Sequence, residues 1–322
     1  MLPERLISVA PMMDYTDRHD RYFLRIISKK TWLFTEMITT NTLLHGDAQR
    51  FLKYNQSEHP LALQLGGSIP ADLATCSKMA EDFGYDEVNL NVGCPSDRVQ
   101  SGRFGASLMA EPDLVARCVA DMQSAVKIPV SVKCRIGIDE QDEYKHLRNF
   151  IHTVSESGCR IFVIHARKAW LQGLSPKENR DIPPLNYAAI YRIKSEFPQL
   201  EIIINGGIQT LDDAKNHLQY VDGTMIGRAA YHNPYILAHV DQGLFGEQTA
   251  VWTRKQILEQ FLPYVEQQMK QGVSLTQMSR HILGLFQGLK GAKAWRRHIS
   301  ENAYKPGADI NLLIEAAKLV EE

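Results

Sequence analysis

Eight short runs of β-branched and aromatic residues, separated by helix-type spacing, constrain this chain more than any other feature. They occupy residues 7–12, 32–37, 61–65, 87–92, 130–135, 161–167, 201–205 and 223–227. The intervening segments carry helix-start signals such as Pro70-Ala71-Asp72-Leu73, Glu111-Pro112-Asp113-Leu114 and Thr210-Leu211-Asp212-Asp213. In each, a proline or a capping threonine is followed by an acidic residue in what would be the first turn. Strand then helix, repeated eight times in about 240 residues, is the pattern of a parallel (β/α)8 barrel, for which about 250 residues is typical. An open doubly wound sheet is the alternative architecture.

In such a barrel the C-terminal ends of the strands form the active face. Read in order, those ends present Pro11-Met12-Met13-Asp14, Glu36, Gln64, Asn89, Asn91 to Cys94, Lys133, Arg135, His165, Arg167, Asn205-Gly206-Gly207 and Gly227-Arg228. Lysine, glutamine, asparagine and histidine are costly to bury without partners, so this set points to a polar site. Asn205-Gly206-Gly207 and Gly227-Arg228 close the seventh and eighth runs, where barrels commonly hold a phosphate on glycine amides and a helix N-terminus. Each glycine motif alone could be a tight turn; together they favour a phosphate-bearing ligand.

The stretch Val88-Asn89-Leu90-Asn91-Val92-Gly93-Cys94-Pro95 ends an alternating run on a thiol, and Gly102 and Gly105 follow in a glycine-spaced loop. A free cysteine is most often a buried small hydrophobe. Here Pro95 stops the strand and the glycines loosen the loop, which suits presentation of the thiol to a ligand. The five cysteines are odd in number and widely spread, with no Cys-x-x-Cys pair and no His/Cys cluster. Neither a disulfide framework nor a metal site is expected.

After residue 246 the β pattern stops, and residues 251–322 carry helical stripes such as Ile257, Leu258, Phe261, Leu262 and Val265. The expected division is a barrel over 1–245 and an all-helical domain over 246–322. The formal net charge of −1 hides a basic run, Lys290-Gly291-Ala292-Lys293-Ala294-Trp295-Arg296-Arg297-His298, gathered around one tryptophan. A basic run is usually a solvated face, but beside an active site it attracts phosphodiester backbones. Met1-Leu2-Pro3-Glu4-Arg5 lacks the features of a signal peptide, and no apolar stretch approaches the roughly 18 residues of a membrane span. A cytoplasmic protein with no membrane association and no obligatory protein partner is expected.

Ala10-Pro11-Met12, Thr35-Glu36-Met37, Gln64-Leu65-Gly66-Gly67, Asn89 through Pro95, Lys133-Cys134-Arg135-Ile136-Gly137, His165-Ala166-Arg167, Asn205-Gly206-Gly207 and Gly227-Arg228 occur in the order seen in the tRNA-dihydrouridine synthases, and the chain resembles that family along its whole length. The segment from Arg167 to Arg180 is similar to the bacterial A-type branch. The resemblance implies flavin mononucleotide (FMN) in the barrel mouth, NADPH as reductant and D-loop uridines of tRNA as substrate. It implies that Ala10, Pro11 and Met12 border the flavin and that Gln64, Lys133 and His165 contact its ring or ribityl chain. Asn205, Gly206, Gly207, Gly227 and Arg228 would hold its phosphate. Cys94 would donate a proton, Asn91 would steady the uracil, and Lys177, Arg180, Lys293 and Arg296 would contact tRNA.

Those residue types suit the reaction. Reduction of the uracil C5–C6 bond needs a hydride at one carbon and a proton at the other, and a flavin supplies only the first. A cysteine with an unperturbed pKa of about 8.5 is mostly thiol at neutral pH and can serve as the acid. The target base must leave its stack to reach a barrel interior, at a cost of a few kcal/mol that phosphate contacts can offset. No glycine fingerprint of a dinucleotide fold is present, so NADPH rests on the resemblance alone. Two other functions stay open: a barrel reductase for a small pyrimidine, resembling dihydroorotate dehydrogenases, and an RNA-binding protein without chemistry. The first leaves the basic run without a purpose. His19, His59 and His152 are read as surface or structural positions.

Overall fold

The computed structural model describes residues 4–322. Met1, Leu2 and Pro3, part of the N-terminal segment considered above, lie outside them. Eight strands follow one another in the chain: β1 Ile7–Val9, β2 Leu33–Thr39, β3 Leu61–Gly66, β4 Glu87–Val92, β5 Val130–Arg135, β6 Ile161–His165, β7 Glu201–Asn205 and β8 Gly223–Ile226. From β2 to β8 each strand pairs in parallel with its sequence neighbour, and β8 pairs with β1. A bridge from Ser8 to Trp32 joins the two remaining edges, with the Val9 N–H donating to Trp32 O at 2.9 Å and the Trp32 N–H to Ile7 O at 3.1 Å. The sheet is therefore a closed (β/α)8 barrel, not an open doubly wound sheet.

Several strands end earlier than their apolar runs. The Ala10 N–H still donates to Ile226 O at 2.8 Å, but Pro11 has no N–H, and the chain turns through a bond from the Tyr15 N–H to Met12 O. Met12 thus lies above β1. Likewise Ala166 and Arg167 leave β6 for a long loop. The helix starts fall where the proline and threonine signals put them: Pro70 and Pro112 open Pro70–Phe83 and Pro112–Ala125, and Thr210 forms a capping box with Asp213 before Leu211–His217.

Alternation along the strands builds two apolar layers. Phe162 and Ile164 face the helices, while Val163, with Phe34, Ala62, Ile203 and Met225, fills the barrel interior. On β4 and β5 the inward positions are instead Glu87, Asn89, Asn91 and Ser131, Lys133, Arg135. This polar column needs partners, and it supplies the site.

Beyond β8 the chain is helical, including Arg254–Lys270, Ala292–Asn302 and Ile310–Lys318. Of these, Arg254–Lys270 docks on the barrel helix Arg18–Ile27, and Ile310–Lys318 packs on both Arg254–Lys270 and Ala292–Asn302. Tyr264 stacks on Tyr22 with ring centroids 3.8 Å apart, its hydroxyl lies 2.8 Å from His19 Nδ1, and Arg18 Nη1 donates to Gln268 Oε1 at 2.7 Å. Gly284 approaches the His232 backbone so closely that a Cβ there would sit 2.4 Å from its carbonyl oxygen. Among the described residues no helix is long and apolar enough to cross a membrane.

Candidate active site

The polar column is a chain of hydrogen bonds running from the barrel floor to its mouth. At the floor Arg5 Nε donates to Glu87 Oε2 at 2.8 Å. The Ser131 hydroxyl donates to the other Glu87 oxygen and accepts from Asn89 Nδ2 at 2.7 Å. Gln64 Nε2 donates to Asn89 Oδ1 at 2.7 Å, and Gln64 Oε1 accepts from Asn91 Nδ2 at 2.8 Å. The strand register makes this possible, since Gln64 is paired with Asn89 and Asn89 with Ser131. Above the half-buried Arg5 all of these side chains are buried, so the bonds offset a desolvation cost that would otherwise fall on each. Asn89 stands among the strand-end residues read from the sequence but was given no role there, and Ser131 was not singled out; its inward parity with Lys133 is the signal that could have found it.

The column ends by positioning the thiol. Asn91 Oδ1 accepts from the Gly93 N–H at 3.1 Å and from the Cys94 N–H at 3.0 Å. From the other side, the Ala106 N–H donates to Cys94 O at 2.9 Å. Gly105, at φ 71°, allows that approach, because a Cβ there would collide with the Cys94 carbonyl and with Val99. Cys94 is half-buried with Sγ 3.6 Å from Ser96 Oγ, whereas Cys76, Cys118, Cys134 and Cys159 are buried. The Asn91 amide is thus largely engaged within the protein.

Lys133 is paired with Asn91 across the strands, and the pairs Arg135 with His165 and His165 with Asn205 continue around the mouth. Burial and the neighbouring Arg135 cation draw the Lys133 ammonium down to about 8. Burial first, then the Arg135 and Lys133 charges, push His165 well below the usual imidazole range, so its ring is neutral. His165 Nδ1 is buried and has no hydrogen-bond partner among the described residues.

The glycine positions divide by role. Gly206 and Gly207 have φ of 110° and 73°, and a Cβ at Gly207 would meet Leu185 and the Tyr187 hydroxyl at 2.6 Å. A tight, packed turn therefore explains both. Gly227 is different: a Cβ there would meet only the Ala10 Cβ, at 3.9 Å, with room beyond. Asn205 Nδ2 donates to Met225 O at 2.8 Å, tying β7 to β8. Arg228 turns toward Asp181, with Nη2 to Oδ1 at 2.5 Å. Pro11 and Met12 flank the mouth above β1, where the Met12 N–H donates to the buried Thr16 hydroxyl at 3.0 Å.

The register thus brings Gln64, Asn91, Cys94, Lys133, His165, Asn205 and Gly206 together. Lys177 and Arg180 are exposed in the loop after β6, and the Arg180 charge acts on both Arg135 and His165. Lys293 and Arg296 belong to the separate helix Ala292–Asn302, where Lys293 is exposed and Arg296 Nη1 donates to Gln287 Oε1 at 3.0 Å. Trp295, around which those basic residues gather, lies in the core. It is fully buried against Phe286, with Nε1 donating to Ile282 O, so the basic residues surround a core anchor and not a surface ring.

Comparison with known proteins adds to this geometry. A dihydrouridine synthase family model matches residues 8–321. A tRNA-dihydrouridine(20/20a) synthase of Vibrio vulnificus is 62% identical over 318 residues, covering 98% of this chain and 97% of that protein. The protein of the same name from Escherichia coli strain K12 is 58% identical over 314 residues, covering 97% and 91%. Among solved structures, a 2-naphthoyl-CoA reductase complex superposes with a TM-score of 0.57 at 12% identity, covering 74% of this chain and 50% of that one, a likeness of fold.

Proposed function

Because the chain belongs to the dihydrouridine synthase family, we propose that it is a flavin-dependent oxidoreductase that reduces the C5–C6 double bond of D-loop uridines 20 and 20a in tRNA. The observation that carries this reading is a half-buried thiol at the open end of β4, pinned through its backbone on both sides and adjacent to the strand that carries Lys133.

The residues at the mouth fit FMN. His165 Nδ1 and the Lys133 ammonium have no protein partner among the described residues, and the room beyond Gly227 suits a phosphate next to its backbone N–H. When bound, FMN would supply the hydride, with NADPH as the reductant. Lys133 would hold the group with positive charge, and neutral His165 could donate or accept a hydrogen bond to it without adding charge. Ala10, Pro11 and Met12, after β1, would border the group from across the mouth. Arg228 can exchange Asp181 for the phosphate.

Hydride added at C6 leaves negative charge at C5, and Cys94 Sγ–H delivers the proton that quenches it. The resulting thiolate is reprotonated from solvent, so atoms and charge balance over the cycle. Asn91 sets the height of that thiol and keeps one amide hydrogen for the uracil edge. Outside the barrel, Lys177, Arg180, Lys293 and Arg296 hold the tRNA backbone so that one uridine can be extruded toward the mouth. Residues 1–245 accordingly carry the chemistry and 246–322 the recognition of tRNA.

The test is to incubate the FMN-loaded protein with unmodified tRNA and NADPH and to map dihydrouridine position by position. Product at 20 and 20a is expected; a flavin-loaded protein that leaves both uridines intact overturns the reading.

A further inference from the structure

The two residues flanking Cys94 are both tied to the loop that follows β6. Gly93 O accepts from Arg135 Nε at 2.9 Å, and Arg135 Nη1 also donates to Lys168 O at 2.8 Å and Asn179 O at 3.0 Å. Pro95 O accepts from Gln100 Nε2 at 2.8 Å, and the same nitrogen donates to Leu171 O at 2.7 Å. One guanidinium and one amide therefore span the same pair of loops, one on each side of the thiol.

The loop held in this way is closed on itself. Asn179, fully buried, accepts the Trp170 N–H at 2.7 Å and donates from Nδ2 to Trp170 O at 2.9 Å and Leu174 O at 3.1 Å. Lys177 and Arg180 sit on either side of Asn179, so the exposed cations of this loop rest on the carbonyl that Arg135 grips. Arg135 is 4% exposed and forms no ion pair among the described residues. Holding a cation on neutral carbonyls is a costly way to fasten a loop, and burial draws this guanidinium down to about 10.

We propose that Arg135 and Gln100 are positioning residues that lock the Cys94 loop to the loop spanning 168–181, so that the cation-bearing segment and the thiol form one mechanical unit. Contacts made by Lys177 or Arg180 are then transmitted to the height and exposure of Cys94 through two short side-chain bridges. The proposal deepens the reading of Cys94 as proton donor.

Its test reads geometry apart from activity. Iodoacetamide labelling, followed at Cys94 by peptide mass spectrometry, reports that thiol selectively because the other four cysteines are buried. Gln100→Ala, a mild change, and Arg135→Lys, which keeps charge but not reach, should each raise the Cys94 labelling rate about fivefold, the effect of freeing one hydrogen-bonded tie. Both should also quicken amide exchange within 168–179, although neither residue lies in that segment. The double variant should label no faster than about twice the quicker single, since the ties act as a unit. Unchanged labelling and unchanged exchange in both single variants would overturn the coupling. Failure to form dihydrouridine would instead strike the proposed reaction and leave these two readouts standing.

Discussion

The Asn91 side-chain oxygen accepts the Cys94 amide N–H at 3.0 Å, so a side chain inside the barrel dictates where the thiol-bearing loop begins. The same amide is fixed from below by Gln64 at 2.8 Å. Replacing it by alanine removes the two loop bonds and leaves Gln64 Oε1 short of a donor. Asn91→Ala should lower turnover about 10- to 100-fold, the rate equivalent of about 1–3 kcal/mol, while the protein remains folded. Steady-state rates alongside circular dichroism check this, and a folded variant with near wild-type turnover would remove Asn91 from the positioning chain.

Cys94→Ala addresses the chemistry itself. Its side chain belongs to the loop above β4, while the candidate cofactor contacts come from β3, β5, β6 and β7 and from the segments that follow β1, β7 and β8. The variant should keep its flavin absorbance and lose turnover by about 10²- to 10⁴-fold, the range for loss of a positioned acid. Retained activity would transfer the proton to another group.

Lys133 gives flavin binding a pH dependence. With its ammonium drawn down to about 8 by burial, the side chain is charged below that value and neutral above it. Because its folded value is depressed, the charge is a cost to the empty protein below about 8, and stability rises with pH from there toward the ordinary lysine value. Attraction for an anionic ligand runs the other way. FMN affinity, measured by fluorescence quenching, should weaken about tenfold from pH 7 to pH 9.5, and Lys133→Met should flatten the profile. A wild-type profile that is already flat would assign the ammonium no role.

Much of this was legible in the sequence, for identifiable reasons. Strands buried on both faces and punctuated by glycine and proline announce a barrel, and Pro70, Pro112 and Thr210 mark helix starts because the end of a helix has particular needs. The strand parity that puts Gln64, Asn91, Lys133 and His165 inside could be counted residue by residue. What escaped were partners without side-chain identity. Arg135 and Gln100 grip main-chain carbonyls of Gly93, Lys168, Asn179, Pro95 and Leu171, and no spacing rule announces which carbonyl a folded loop will offer. The basic run around Trp295 did not announce which way that ring faces; its place on Ala292–Asn302 turns it into the core.

Asp20 stores an electrostatic cost where the barrel meets the helical region. It is 1% exposed, neither oxygen has a hydrogen-bond partner among the described residues, and His281 Nδ1 lies 3.8 Å away. Burial, reinforced by the Asp17 charge, pushes its carboxyl well above the usual range. Between the ordinary carboxylate value and the raised one, the folded protein binds a proton that the unfolded chain does not. Stability therefore falls as pH rises through that window. Asp20→Asn should raise Tm at pH 7–8 and leave it nearly unchanged near pH 4. Thermal melts at both pH values check the sign, and a variant destabilised at neutral pH would mean that the carboxylate is ionised and useful there.

The helix Ala292–Asn302 separates cations that can meet a phosphate from one that is already occupied. Lys293 is exposed and has no ion pair among the described residues, and Arg296 is held only by the neutral Gln287 at 3.0 Å. Arg297 is bound to Glu301 at 2.8 Å one turn along, so reaching a phosphate would cost it that partner. Burial of Trp295 fixes the helix and with it the direction in which these side chains project. In tRNA binding measured against salt, Lys293→Gln and Arg296→Gln should each reduce the log–log slope by about 0.7 to 0.9, the release expected for one phosphate contact. Arg297→Gln should change it by less than half as much. Equal effects from all three would point to a diffuse basic field in place of defined contacts, and no effect from Lys293 or Arg296 would move the tRNA off this helix.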